Sequence, residues 1–211
     1  MNKKERTKQF IAHFSENMPK AKTELDYKNV FELTVAVILS AQCTDKRVNI
    51  ITKQLFEKMP NAQMMAVSSI DAIFDLIKSC SYPRNKARYL SGMAKMLMKD
   101  FEGEVPNSLD DLQKLPGVGR KTANVVGSVY FDIPAMPVDT HVFRVSERIG
   151  FTTEAKNPLQ AELQLLKLFP KNKLNIAHHW LILHGRYVCK ARKPDCINCN
   201  ITHLCKYFSK K

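Results

Sequence analysis

Apolar residues return every three to four positions through almost the whole chain, and no stretch alternates with period two. That spacing predicts helices throughout and an all-α fold. Phe10, Ile11, Phe14 and Met18 form a first stripe, which Pro19 ends. Asn29, with Glu32 three residues on, reads as a capping pair opening Val30–Ser40, a helix apolar enough all round to be largely buried. Thr44 or Asp45 opens the next, with Val48, Ile51, Leu55 and Phe56 on one face. Ser68 followed by Asp71 predicts the start of a helix carrying Ile70, Ile73, Phe74 and Ile77. Ala87, Leu90, Met93, Ala94, Leu97 and Phe101 form a further stripe ending at Gly103.

Beyond that, Ser108 caps a helix over 109–115, Pro116 stops it, and a second arm runs over 121–131. Pro134 and Pro137 interrupt the chain. Asp139 then starts a helix with Val142, Val145 and Ile149, which Gly150 ends. Asn157-Pro158 opens a helix over 159–169, with proline at its first position, and a last helix covers 176–187. His178 and His179 are neighbours, about 100° apart on a helix, and read as packing residues. Met93 and Met96 fill core, and Cys43 and Cys80 read as buried thiols on apolar helices.

Charge narrows the function. The 211 residues include 33 Lys and Arg against 20 Asp and Glu, a net charge of +13. A globular chain this basic repels itself and points to a polyanionic partner. The longest apolar run, around Val35 to Leu39, is too short to span a bilayer, so nucleic acid is favoured over membrane. Asn2-Lys3-Lys4-Glu5-Arg6 leads into no apolar segment, which predicts a cytoplasmic, nucleoid-associated protein.

Two stretches carry chemistry. In Leu115-Pro116-Gly117-Val118-Gly119-Arg120-Lys121, a Pro/Gly turn passes straight into a helix start. Gly117 and Gly119 permit positive φ and close approach of another backbone, and amides at the helix start suit a phosphate oxygen. Lys121 sits beside Arg120 at the positive end of the helix dipole, which favours the free amine a nucleophilic lysine uses. The second stretch is Cys189-x6-Cys196-x2-Cys199-x5-Cys205. Four thiolates so close suit zinc or an iron–sulfur cluster, and the asymmetric ladder leans toward [4Fe–4S]. Lys190, Arg192 and Lys193, between the first two, form a basic loop placed to touch phosphate.

The hairpin, Val138-Asp139-Thr140-His141 about twenty residues on and the cysteine ladder together resemble the helix–hairpin–helix, Gly/Pro-rich, Asp-containing DNA glycosylase superfamily. The likeness is to its endonuclease III branch, over roughly residues 30–205. It implies two helical lobes flanking a DNA-binding cleft. One is a six-helix barrel over 23–134 containing the hairpin; the other, residues 1–22 and 135–211, holds a [4Fe–4S] cluster. It implies a monomeric enzyme acting on double-stranded DNA with damaged pyrimidines or abasic sites. Lys121 would be the nucleophile and Asp139 the assisting carboxylate. Gln42 would fill the gap left by a flipped nucleotide. Tyr82 falls where the family has an aliphatic wedge, but here the segment reads Ser81-Tyr82-Pro83-Arg84-Asn85, so which side chain enters the stack stays open. Two other readings stand beside this one. An adenine glycosylase-like branch lacks the hairpin lysine and carries a further C-terminal domain. A non-catalytic iron–sulfur DNA-binding module would need neither Lys121 nor Asp139.

Overall fold

The structure is a computed structural model describing residues 1–210; Lys211 lies outside the described residues. Among the described residues the chain is helical, with short 3-10 turns and no strand. It forms two compact units, one of Glu24–Phe131 and one of Met1–Thr23 with the residues from Asp132 onward. The first helix, α1 (Lys3–Asn17), belongs to the latter. Next come α2 (Val30–Ser40), α3 (Asp45–Lys58), α4 (Ala62–Val67), α5 (Ile70–Ile77), α6 (Pro83–Asp100), α7 (Leu109–Leu112) and α8 (Arg120–Tyr130). The chain then returns to its first unit with α9 (Thr140–Ile149), α10 (Pro158–Leu168) and α11 (Leu174–Tyr187).

In the Glu24–Phe131 unit, α2 is the central element. Every residue from Phe31 to Leu39 is buried, and α3, α6 and α8 pack around it. Each large aliphatic side chain so enclosed contributes about 1.5–3 kcal/mol relative to exposure. The helix starts where Asn29 Oδ1 accepts the Glu32 N–H at 2.9 Å. Glu32 reaches back to the Lys28 amide (2.7 Å), one residue earlier than a capping box would place it. Helices α4 and α5 lie against α6.

Local departures from expectation have local causes. Ser69, not Ser68, caps α5, because α4 intervenes and Ser68 closes it by donating to the Met64 carbonyl. The first arm of the hairpin is a single turn ending at Leu112, after which 3-10-like bonds (Leu115 N–H to the Leu112 carbonyl, 3.2 Å) tighten the chain. Cys43 and Cys80 lie in the turns that follow α2 and α5, not on helices.

The other unit is built on an aromatic cluster. Phe10 meets Phe14, Phe151, Phe169 and Trp180 with ring centroids 4.5–6.2 Å apart. The fully buried Trp180 donates its Nε1–H to the Met18 carbonyl (2.8 Å), so its polar edge is satisfied. Gly185 lets α11 approach α9 closely: a Cβ there would sit 2.9 Å from the Cβ of His141. No helix among the described residues is long and apolar enough to cross a membrane.

Candidate nucleic-acid interface and metal centre

The hairpin is seated on α6. Pro116 rests against Gly92, where an added Cβ would lie 3.3 Å from the proline ring. Gly117 adopts φ +82° and lies so near Tyr89 that a Cβ would be 2.8 Å from that residue's own Cβ. Val118 is buried, and its N–H closes the turn on the Leu115 carbonyl at 3.0 Å. Gly119 corrects the expectation. Its φ of −85° and ψ of 178° are ordinary extended values, and nothing lies within 4 Å of where its Cβ would be. It is also the N-cap of α8 and has no side chain to bond the first amides. Gly117 is therefore required by the turn itself, whereas Gly119 leaves open space outside the helix start. Arg120 and Lys121 are the first two residues of α8, and both are exposed.

Two further exposed residues belong to the same unit. Gln42, just after α2, and Tyr82, just before α6, both stand in the left-handed region, at φ 54° and 52°. Such a conformation costs a non-glycine residue on the order of 1 kcal/mol unless its surroundings impose it. Between the two turns lies Lys86, in the first turns of α6 and only 4% exposed. Its Nζ donates to the carbonyls of Leu39 (2.8 Å) and Ala41 (2.7 Å) and to Ser81 Oγ (3.1 Å). Ser81 Oγ in turn donates to the Ala41 carbonyl at 3.0 Å. Burial lowers the pKa of Lys86, and the neighbouring Cys80 and Cys43 thiols act in the opposite sense. Sequence reasoning missed Lys86, although a lysine four residues before Leu90 on an apolar face was a signal.

Asp139 caps α9: its Oδ1 accepts the Val142 N–H at 2.8 Å. It is partly buried and belongs to the unit containing α1, whereas Lys121 belongs to the other.

Following α11, Cys189, Cys196, Cys199 and Cys205 line one cavity together with Ile149, His184, Val188 and Ile201. Among the described residues no three His, Cys, Asp or Glu side chains converge as ligands of a single metal ion. Arginines from α9 hold the loop in place. Arg148 donates to the Cys189 sulfur (3.5 Å) and to the carbonyls of Lys190 (2.8 Å) and Ala191 (3.0 Å), and lies over the Tyr207 ring. Arg144 donates to the carbonyls of Cys189 (3.2 Å) and Gly185 (2.9 Å). Burial pushes the Cys199 thiol up, and the other three cysteines add to that. His184 Nε2 faces the Cys199 sulfur at 3.9 Å; burial, then His13, hold this imidazole at about 4. Lys190, Arg192 and Lys193 project from the loop into solvent.

Residues 35–171 match the family described as the HhH-GPD superfamily base excision DNA repair protein. The chain belongs to this superfamily. Within the HhH-GPD proteins it is similar to the endonuclease III of Rickettsia felis, at 49% identity over 93% of this chain and 92% of that one. Two solved structures also resemble it. A trapped endonuclease III–DNA covalent intermediate shares 45% identity at a TM-score of 0.94, covering 100% of this chain and 99% of that one. A non-covalent endonuclease III–DNA complex shares 44% at 0.94, covering 100% and 98%. This HhH-GPD member is thus a base excision repair DNA glycosylase of the endonuclease III type.

Proposed function

We propose that the chain is a DNA glycosylase and abasic-site lyase for oxidised pyrimidines, with Lys121 as nucleophile. The observation that carries this is Lys121 itself, an exposed amine on the first turn of a helix whose N-cap is a bare glycine. That a trapped covalent intermediate exists for endonuclease III and DNA supports it.

The damaged nucleotide leaves the stack at a cost of a few kcal/mol, less for a lesion that stacks poorly. The neutral amine of Lys121 attacks the anomeric carbon, and the glycosidic bond breaks with its electron pair leaving on the base. Loss of a proton from nitrogen's adduct and opening of the sugar give a Schiff base. That iminium acidifies the C2′ proton; removing it breaks the bond to the 3′ oxygen, cutting the strand 3′ to the lesion. Water then releases Lys121. Asp139 stabilises the positive charge that develops on the sugar or takes a proton from the lysine. Gly117, Gly119 and Arg120 grip a phosphate, Gln42 and Tyr82 meet the disturbed stack, and Lys190, Arg192 and Lys193 meet the backbone.

The four cysteines fit a [4Fe–4S] cluster. The donor set is all sulfur, and the four thiols line one cavity. Cys189, Cys196, Cys199 and Cys205 would hold it, and its iron–thiolate bonds would pin the basic loop at both ends.

Borohydride trapping on duplex DNA containing an oxidised thymine tests the proposal. Wild type gives a covalent adduct and Lys121→Ala gives none. DNA binding with no adduct in wild type would favour the non-catalytic module.

A further inference from the structure

We propose that Lys86 is a positioning residue: it locks the turns carrying Gln42 and Tyr82 into one preformed two-pronged surface for the gap in a DNA duplex. The inference rests on the assignment of Gln42 and Tyr82 to DNA. It goes further by naming what holds them and why they act as a pair.

Lys86 spends all three ammonium hydrogens on the two turns. Two go to α2's terminal carbonyls, Leu39 and Ala41, where a helix presents its negative end and its unsatisfied acceptors. The third goes to Ser81, the residue before Tyr82. Ser81 then bonds the carbonyl of Ala41, the residue before Gln42. Each left-handed residue therefore follows directly on an anchored one, and the two anchors are bonded to each other. Gln42 and Tyr82 project outward, with Tyr82 63% exposed, while Lys86 beneath them is buried. A cation is suited to this task because no neutral side chain offers three donors from one atom.

An interface so fixed does not have to order its loops when DNA arrives. Lys86→Met keeps the stem and removes the donors. If the turns then hold their binding geometry about one-tenth of the time, apparent affinity falls about tenfold. The loss should appear for a duplex bearing a tetrahydrofuran abasic analogue, and stay within about twofold for undamaged duplex. On a natural abasic duplex, KM should rise while kcat at saturation holds, and amide exchange should quicken at 40–44 and 80–84 only. In a Gln42→Ala/Tyr82→Ala background Lys86→Met should add less than about twofold, because its effect runs through those side chains. Ser81→Ala removes one anchor without touching the buried charge, should weaken analogue binding about threefold by the same population argument, and serves if Lys86→Met does not fold.

The outcomes separate cleanly. Equal losses on analogue and undamaged DNA, a lowered kcat at unchanged KM, or full additivity in the double-alanine background would overturn the positioning role. Wild-type analogue binding by Gln42→Ala/Tyr82→Ala would instead refute the assignment of those two residues, and the proposal with it.

Discussion

Gly117 and Gly119 sit two residues apart in one turn, and replacing each by alanine should have opposite consequences. At Gly117 an alanine must adopt φ +82°, which costs an L-residue about 1–2 kcal/mol. Its Cβ must also fit 2.8 Å from the Cβ and 3.1 Å from the Cγ of Tyr89. The obstructing atoms are the root of a side chain on α6, which cannot swing away, so an overpacking penalty of about 1–3 kcal/mol is added. The total is roughly 2–5 kcal/mol, a fall in melting temperature of about 10 °C for a chain of this size. At Gly119 the backbone is extended and the space is empty, so alanine should change stability by no more than about 0.5 kcal/mol. It does place a methyl group beside the first amides of α8, where the phosphate is proposed to approach. Gly119→Ala should therefore melt like wild type and bind duplex DNA about tenfold more weakly, on the order of 1.4 kcal/mol. Circular dichroism melts and fluorescence anisotropy measure the two quantities on the same preparations. If Gly119→Ala binds DNA normally, its bare position is not a phosphate approach; if Gly117→Ala melts normally, the steric reasoning about the turn is wrong.

Two more outcomes follow from the other unit. Burial, then the charge of Arg186, lower the His179 pKa from 6.5 to about 4. Between about pH 6.5 and 4 the unfolded chain binds a proton that the folded chain refuses, so stability falls as the pH drops through that window, by on the order of 1–3 kcal/mol. Urea midpoints at pH 7 and 5 should show the loss, and His179→Gln should lack its share of it; an unchanged pH response would remove His179 from the account. Arg148→Met deletes the bonds to the Lys190 and Ala191 carbonyls, so trypsin should cut after Lys190 or Arg192 about tenfold faster through local opening. Wild-type cleavage would mean that the cysteines alone hold the loop.

Much of the helical architecture was legible because its punctuation is chemical. Asn29, Thr44, Ser108, Asp139 and Asn157 each accept a backbone N–H at the predicted start, an arrangement that short polar side chains make almost alone. Where two candidates stood together, sequence could not choose. Ser68 and Ser69 are the same residue type, and only the intervening α4 sends one to close a helix and the other to open the next. The two glycines of the hairpin show the same limit: the letters are identical, and Tyr89, nearly thirty residues earlier, decides which is conformationally required. Lys86 was hidden for a related reason. A charge within an apolar stripe is visible, but two of its three acceptors are carbonyls, which every residue has.

Capping also separates the helix starts by availability. Among the described α-helices, eight have an N-cap side chain accepting one of their own amides. Three do not: α6, α8 and α11. The start of α11 continues a 3-10 turn at Lys171–Lys173, whose own bonds lead into it. That leaves α6 and α8, both in the Glu24–Phe131 unit, headed by Tyr82 and Gly119. A helix closed by its own Ser, Thr, Asn or Asp has already given an amide to an oxygen, and a phosphate would have to displace it. The two starts left open coincide with residues assigned to DNA from quite different considerations, an exposed left-handed turn in one case and a bare glycine in the other. The two starts are not equal, because α6 begins at Pro83, which has no N–H, whereas α8 begins at Arg120, so availability supports the proposed phosphate approach at α8. That approach requires that capping α8 by Gly119→Ser weaken DNA binding while raising stability.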